Sequence, residues 1–110
     1  MIDWARVREL QDEIGAEDFG EIVEVFMEEV EAAIGALPDA DKGSELEELM
    51  HLIKGCAWNL GFRELGKLCA AGEAAAEAGN GGSVDIDAVM QAFEAAQKVF
   101  TEGLQEQRVA

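Results

Sequence analysis

The chain has 110 residues, enough for one domain with one core, and 49% of them are apolar, too many for a disordered acidic tail. A formal net charge of −16 repels phosphate backbones and anionic lipid, which sets nucleic-acid and membrane-surface roles aside. Cys56 and Cys69 are too few for a disulfide scaffold, no stretch approaches a membrane span and no signal peptide is visible, so the chain reads as cytoplasmic with reduced thiols.

One proline and abundant alanine, glutamate and leucine favour helices. A short first helix is predicted over about Asp3 to Ile14, carrying Trp4, Val7, Leu10 and Ile14, with Gly15 closing it. The second runs from about Asp18 to Leu37. Phe19, Ile22, Val23, Phe26, Val30, Ala33, Ile34 and Leu37 form its apolar stripe, and Glu21, Glu24, Glu28 and Glu31 fall on the water side. Pro38 and the polar stretch from Asp39 to Gly43 end it. Ser44-Glu45-Leu46-Glu47 has the form of a capping box opening a third helix, which extends to about Leu60 and is closed by Gly61. The fourth is expected from about Phe62 to Ala78, with Leu65, Leu68, Cys69, Gly72 and Ala76 facing inward. Its small residues would let two helix backbones approach closely. The turn at 79–83 leads to a fifth helix, about Asp85 to Gln105, with Ile86, Val89, Met90, Phe93, Phe100 and Leu104 on one face. No strand-like alternation appears. Short connections between amphipathic helices predict an all-α fold: an antiparallel up-down-up-down four-helix bundle with the short N-terminal helix added, one domain over residues 1–110.

Charge is spread unevenly along these elements. Residues 1–48 hold sixteen acids against Arg6, Arg8 and Lys42, a net of −13, whereas residues 49–75 carry a net of +1. That second window contains the only histidine, His51. At about 100° per residue, Leu46, Leu49, Met50, Ile53, Ala57 and Leu60 form the core stripe of the third helix. His51 lies roughly 150° from the centre of that stripe, on the outer face, and Gly55 lies nearly opposite the core. Helical side chains lean toward the N-terminus, so any side chain at 55 would cover His51. Glycine leaves that space empty at a cost of about 1 kcal/mol. Lys54 leans over the same turn and can bring its ammonium beside the ring. An exposed imidazole with a cleared approach and a neighbouring cation suits an anionic group, and imidazole is a competent nucleophile for a phosphoryl group near neutral pH.

The run His51-x-x-Lys54-Gly55-Cys56-Ala57-x-Asn59-Leu60-Gly61 resembles the signature of the histidine-containing phosphotransfer (HPt) family. The resemblance implies a phosphoryl group on Nε2 of His51, arriving from and leaving to an aspartate on a response-regulator receiver domain. It implies Lys54 as the phosphoryl charge balance and Glu73, twenty-two residues after the histidine, as a residue hydrogen-bonding near the site. Trp58 and Phe62 stand where the family often has small residues, and Cys56 stands where Ser or Ala is common, as a small buried filler. Leu52 and Trp58, apolar and off the core stripe, suggest a docking patch, taken with Phe62 and Arg63 as the receiver-facing surface. The alternative for Trp58 is packing against a neighbouring helix.

Three functions fit these residues. The first is a phosphorelay carrier, not an enzyme in the usual sense, since no nucleotide-binding loop is present. It would be a monomer served by receiver domains and a hybrid histidine kinase. The second is the phosphoacceptor domain of a chemotaxis-type histidine kinase, against which Met1 and the polar end "LQEQRVA" favour a complete chain. The third is a non-phosphorylated helical adaptor, which would be more stable with alanine at 55. No cofactor is expected. One histidine without a carboxylate or thiol four residues on is too little for a metal, and magnesium is expected on the partner receiver.

Overall fold

The computed structural model describes residues 2–109, with side chains from 2 to 106. Met1 and residues 107–110 of the polar end, read above as marking a complete chain, lie outside that description in whole or in part. Five α-helices follow in order: α1 (Trp4–Ile14), α2 (Ala16–Ala36), α3 (Ser44–Leu60), α4 (Arg63–Glu77) and α5 (Ile86–Val109). Short 3₁₀ turns at Leu37–Asp39 and Gly81–Ser83 join α2 to α3 and α4 to α5. Among the described residues there is no strand, only an isolated antiparallel bridge between Ile2 and Phe62.

Local chemistry explains most boundaries. The Asp3 side chain accepts the Arg6 amide at 3.2 Å and caps α1. Gly61 ends α3 with φ 76°, and a Cβ there would lie 2.6 Å from the Asp3 carbonyl oxygen. Only glycine satisfies both the left-handed turn and this close approach, and the Asp3 amide bonds the Gly61 carbonyl at 2.8 Å. The N-terminal segment thereby pins the α3–α4 corner. The start of α3 differs from the capping box expected of Ser44 and Glu47. Gly43 occupies the cap position, and Ser44 is already helical. The polar side chains serve the preceding loop instead: Gly43 N–H donates to Asp41 Oδ1 and Asp41 N–H donates to Glu45 Oε2, each at 2.8 Å.

The core lies along the inner faces of α2 to α5, with Val30, Leu37, Leu46, Met50, Ile53, Leu60 and Leu65 fully buried. Phe62 is also fully buried, edge-on to Phe100 with ring centroids 5.3 Å apart, and Trp4 stacks on Phe100 at 5.9 Å. Phe62 was expected on the docking surface. It follows the sharp Gly61 turn and is directed inward, where burying an aromatic ring contributes about 1.5–3 kcal/mol. Leu68, expected inward, is 37% exposed. Gly66 is buried in the inward set in its place, with Leu65, Cys69, Gly72 and Ala76. The small residues of α4 accept side chains rather than a bare backbone. A Cβ at Gly72 would meet Met50 Sδ at 3.0 Å, and one at Gly66 would meet the Trp58 ring at 3.0 Å.

Candidate functional site

Two helices supply the site. On α3, Met50, Ile53 and Ala57 point into the core, so the helical period turns His51 outward, and its side chain is 70% exposed. On α4, Cys69, Gly72 and Ala76 are buried, and Glu73, beside that stripe, emerges at the seam with α3 with its side chain 19% exposed. The His51 Nδ1 lies 2.6 Å from Glu73 Oε2, and Lys54 Nζ donates to the other carboxylate oxygen, Oε1. One carboxylate thus joins the two residues of the histidine turn across the helix seam.

The electrostatics of this triad fix its hydrogens. The Lys54 ammonium, bonded to the carboxylate, and with it the His51 contact hold the Glu73 carboxyl below the usual carboxylate range, against the opposing effect of partial burial. Glu73 is therefore ionised at neutral pH and can only accept. The hydrogen in the 2.6 Å contact must belong to Nδ1 of His51. In the neutral ring the lone pair then sits on Nε2, the nitrogen away from Glu73.

The approach is clear. A Cβ built at Gly55 meets nothing within 4 Å, so no neighbour fills the space that glycine leaves. The exposed Gly55 carbonyl is bonded by Asn59 Nδ2 at 3.0 Å, and Asn59 Oδ1 accepts from Arg6 Nη2 at 2.9 Å. Asn59 belongs to the motif, but its spacing alone does not assign it this bond. An asparagine one turn after a helix-interior glycine is the available signal, because its amide reaches back to the carbonyl four residues earlier. Leu52 and Trp58 are 42% and 41% exposed, and Arg63 is exposed at the start of α4. Trp58 combines both readings offered for it: one part of the indole lies over Gly66, and the rest faces water. Cys56 is buried with its Sγ 3.7 Å from Glu29 Oε2, and burial, aided by that carboxylate, pushes its thiol up to about 11.

The imidazole is exposed, with Nδ1 tethered to Glu73 and Nε2 directed away from it. The Hpt domain family model matches residues 21–108, which include α3, α4 and every member of the triad, and the chain belongs to that family. Neither the curated proteins nor the solved structures gave a match. Members of the family are phosphocarriers rather than enzymes in the usual sense, and membership implies histidine phosphotransfer in a phosphorelay with receiver domains. No helix among the described residues is long and apolar enough to cross a membrane.

Proposed function

We propose that this Hpt-family chain carries a phosphoryl group on Nε2 of His51, taking it from the aspartyl phosphate of one receiver domain and giving it to the aspartate of another. The observation that carries this reading is the Nδ1–Glu73 contact at 2.6 Å, which leaves Nε2 as the free nucleophile on an exposed ring. In the forward step the Nε2 lone pair attacks phosphorus. The P–O bond to the receiver aspartate breaks, and its electron pair stays on the leaving carboxylate. The ring then carries phosphorus on Nε2 and hydrogen on Nδ1, with a positive charge that the Glu73 carboxylate faces. In the return step a second aspartate attacks, and the N–P electron pair goes back to Nε2.

Lys54 balances phosphoryl charge from the same turn, and Gly55 admits the receiver. Leu52, Trp58 and Arg63 form the docking surface around them, with magnesium held by the receiver. The four longer helices are read as an antiparallel up-down-up-down bundle, with α1 clamped to it through Trp4 and Arg6, and the chain as a cytoplasmic monomer. The test is incubation of the chain with a panel of labelled phospho-receivers. Acid-labile, base-stable label should appear on the wild type and be absent from His51→Gln. Label of that kind on His51→Gln would reject the assignment.

A further inference from the structure

The seam between α2 and α5 is incompletely closed, and it involves neither of the helices that carry His51 and Glu73. Two cavities run along it, of about 490 and 240 Å³, the larger also bordered by Gln11 of α1. Both are lined by Val23, Glu24 and Leu104, so they form one groove. Its lining on α2 extends from Ala16 to Glu31, roughly 23 Å at 1.5 Å per residue. The floor is apolar: Phe19, Val23 and Phe100 from the core, with Met27 and Leu104 half-buried. The rim is acidic. Glu17, Glu24, Glu28 and Glu31 line the groove, and no lysine or arginine does. Glu17, Glu24 and Glu28 make no ion pair among the described residues. The one side-chain hydrogen bond across the seam among those residues, Gln97 Nε2 to Glu31 Oε1 at 2.9 Å, lies at one end of the groove.

We propose that this groove docks a basic amphipathic helix of about four turns from a partner protein, on a surface separate from the phosphoryl site. The apolar floor asks for a stripe at i, i+3, i+4 and i+7, the pattern by which one helix fills a groove between two others. The rim selects the flanks of that stripe. Unpaired carboxylates along the α2 side of the apolar strip, facing Gln97 and Thr101 on the α5 side, favour Lys or Arg on that flank of the docked helix. The same charge excludes the other occupants. A second copy packed through the same seam would bring acid against acid along it. Anionic lipid meets the same repulsion. A receiver at His51 and a basic helix at the α2–α5 seam would bind together without competing for residues.

The probe is a synthetic sixteen-residue peptide with leucines at that spacing and lysines on the flanks, titrated into isotope-labelled full chain and followed by amide shifts. A scrambled peptide of the same composition has the same charge but no stripe. The shifts should centre on Glu24, Met27, Thr101 and Leu104 and should be the same in His51→Gln, which separates this result from the fate of the phosphotransfer assignment. The scrambled peptide should bind roughly tenfold more weakly or worse, and so should the double variant Glu24→Lys/Glu28→Lys, since both substitutions reverse rim charge at exposed positions. Circular dichroism reports whether that variant keeps its fold, and loss of wild-type affinity with added salt supplies the same information without mutation. No binding, equal binding of the scrambled peptide, shifts centred on His51 and Trp58 or spread over the acidic surface, or undiminished affinity in the folded double variant would each overturn the proposal.

Discussion

Gly55→Ala and Gly55→Gln should keep or raise the stability of the fold, and Gly55→Gln should abolish most phosphotransfer. Gly55 sits in the interior of α3, and a Cβ there meets nothing within 4 Å. Alanine therefore gains the full difference in helix propensity, up to about 1 kcal/mol, because less backbone entropy is lost on folding. For a domain of this size that is a rise of about 4 °C in Tm. Glutamine also outranks glycine in a helix and enters the same open space, so its variant should melt no lower than wild type. Its side chain, however, leans one turn back over His51. Displacing reacting groups by about 1 Å costs on the order of a hundredfold in rate, and a side chain between Nε2 and an incoming receiver does at least that. The measurements are thermal melts by circular dichroism and the rate of label transfer from a phosphorylated receiver. Two other buried glycines serve as internal controls. Gly66→Ala and Gly72→Ala place a methyl 3.0 Å from the Trp58 ring and from Met50 Sδ, so neither should give the full gain. Full transfer in a folded Gly55→Gln protein, or a lowered Tm in Gly55→Ala, would refute the reasoning.

Trp58→Ala should weaken receiver binding by about 1–3 kcal/mol, the range for a truncated interface anchor. It should also lower Tm modestly, because part of the indole covers Gly66; unchanged affinity with a lower Tm would make Trp58 a packing residue only. Glu73→Gln should lower Tm at neutral pH. Because the folded-state pKa of Glu73 is depressed, its contribution is complete above the ordinary carboxylate value and is lost as pH falls through the depressed one. Melts of wild type and variant should then differ by a constant amount down to about pH 5 and converge only in stronger acid, below the ordinary value of about 4.3. Burial and nearby carboxylates push Cys56 and Cys69 up to about 11 and about 12, so at pH 8 both thiols should react slowly with an alkylating reagent in the native chain and quickly in urea.

Helical period carried most of the sequence reading. The stripes of α2, α3 and α5 reappear in the buried residues because a 3.6-residue repeat survives any choice of neighbour. The same period turned His51 and Gly55 outward, and both are exposed. The errors fall where a backbone turn, a loop pairing or a contact between elements overrides helical phase. Phe62 follows a glycine with φ 76°, and a left-handed residue resets the direction in which the next side chain points, so the phase of α3 could not be continued through it. Ser44 and Glu47 fit a capping box by spacing, but the Asp41–Glu45 pairing draws the loop into another arrangement. Leu68 reads as core by hydropathy, yet Gly66 takes the inward place because an indole from α3 needs the space.

Glu73 is where sequence and structure differ most in what they explain. A carboxylate near a phosphoryl acceptor looks repulsive when only its distance along the chain is known. The ring has two nitrogens, and Glu73 meets Nδ1, so in the proposed reaction its charge faces the side of the imidazole away from the phosphoryl group. Lys54 lowers the Glu73 carboxyl further and so favours the ionised form, which has no hydrogen to offer. An amide at 73 could present either its oxygen or its NH₂ to Nδ1 and so leave the tautomer open. The carboxylate presents only acceptors, which commits the hydrogen to Nδ1 and the lone pair to Nε2. Once phosphorus is bonded to Nε2 the ring is cationic, and the carboxylate that fixed the tautomer lies against that charge. The same ion pair limits what Lys54 can do for the phosphoryl oxygens, since its ammonium is already engaged by Glu73. The charge balance proposed for Lys54 therefore requires it to bridge both anions from one position between them.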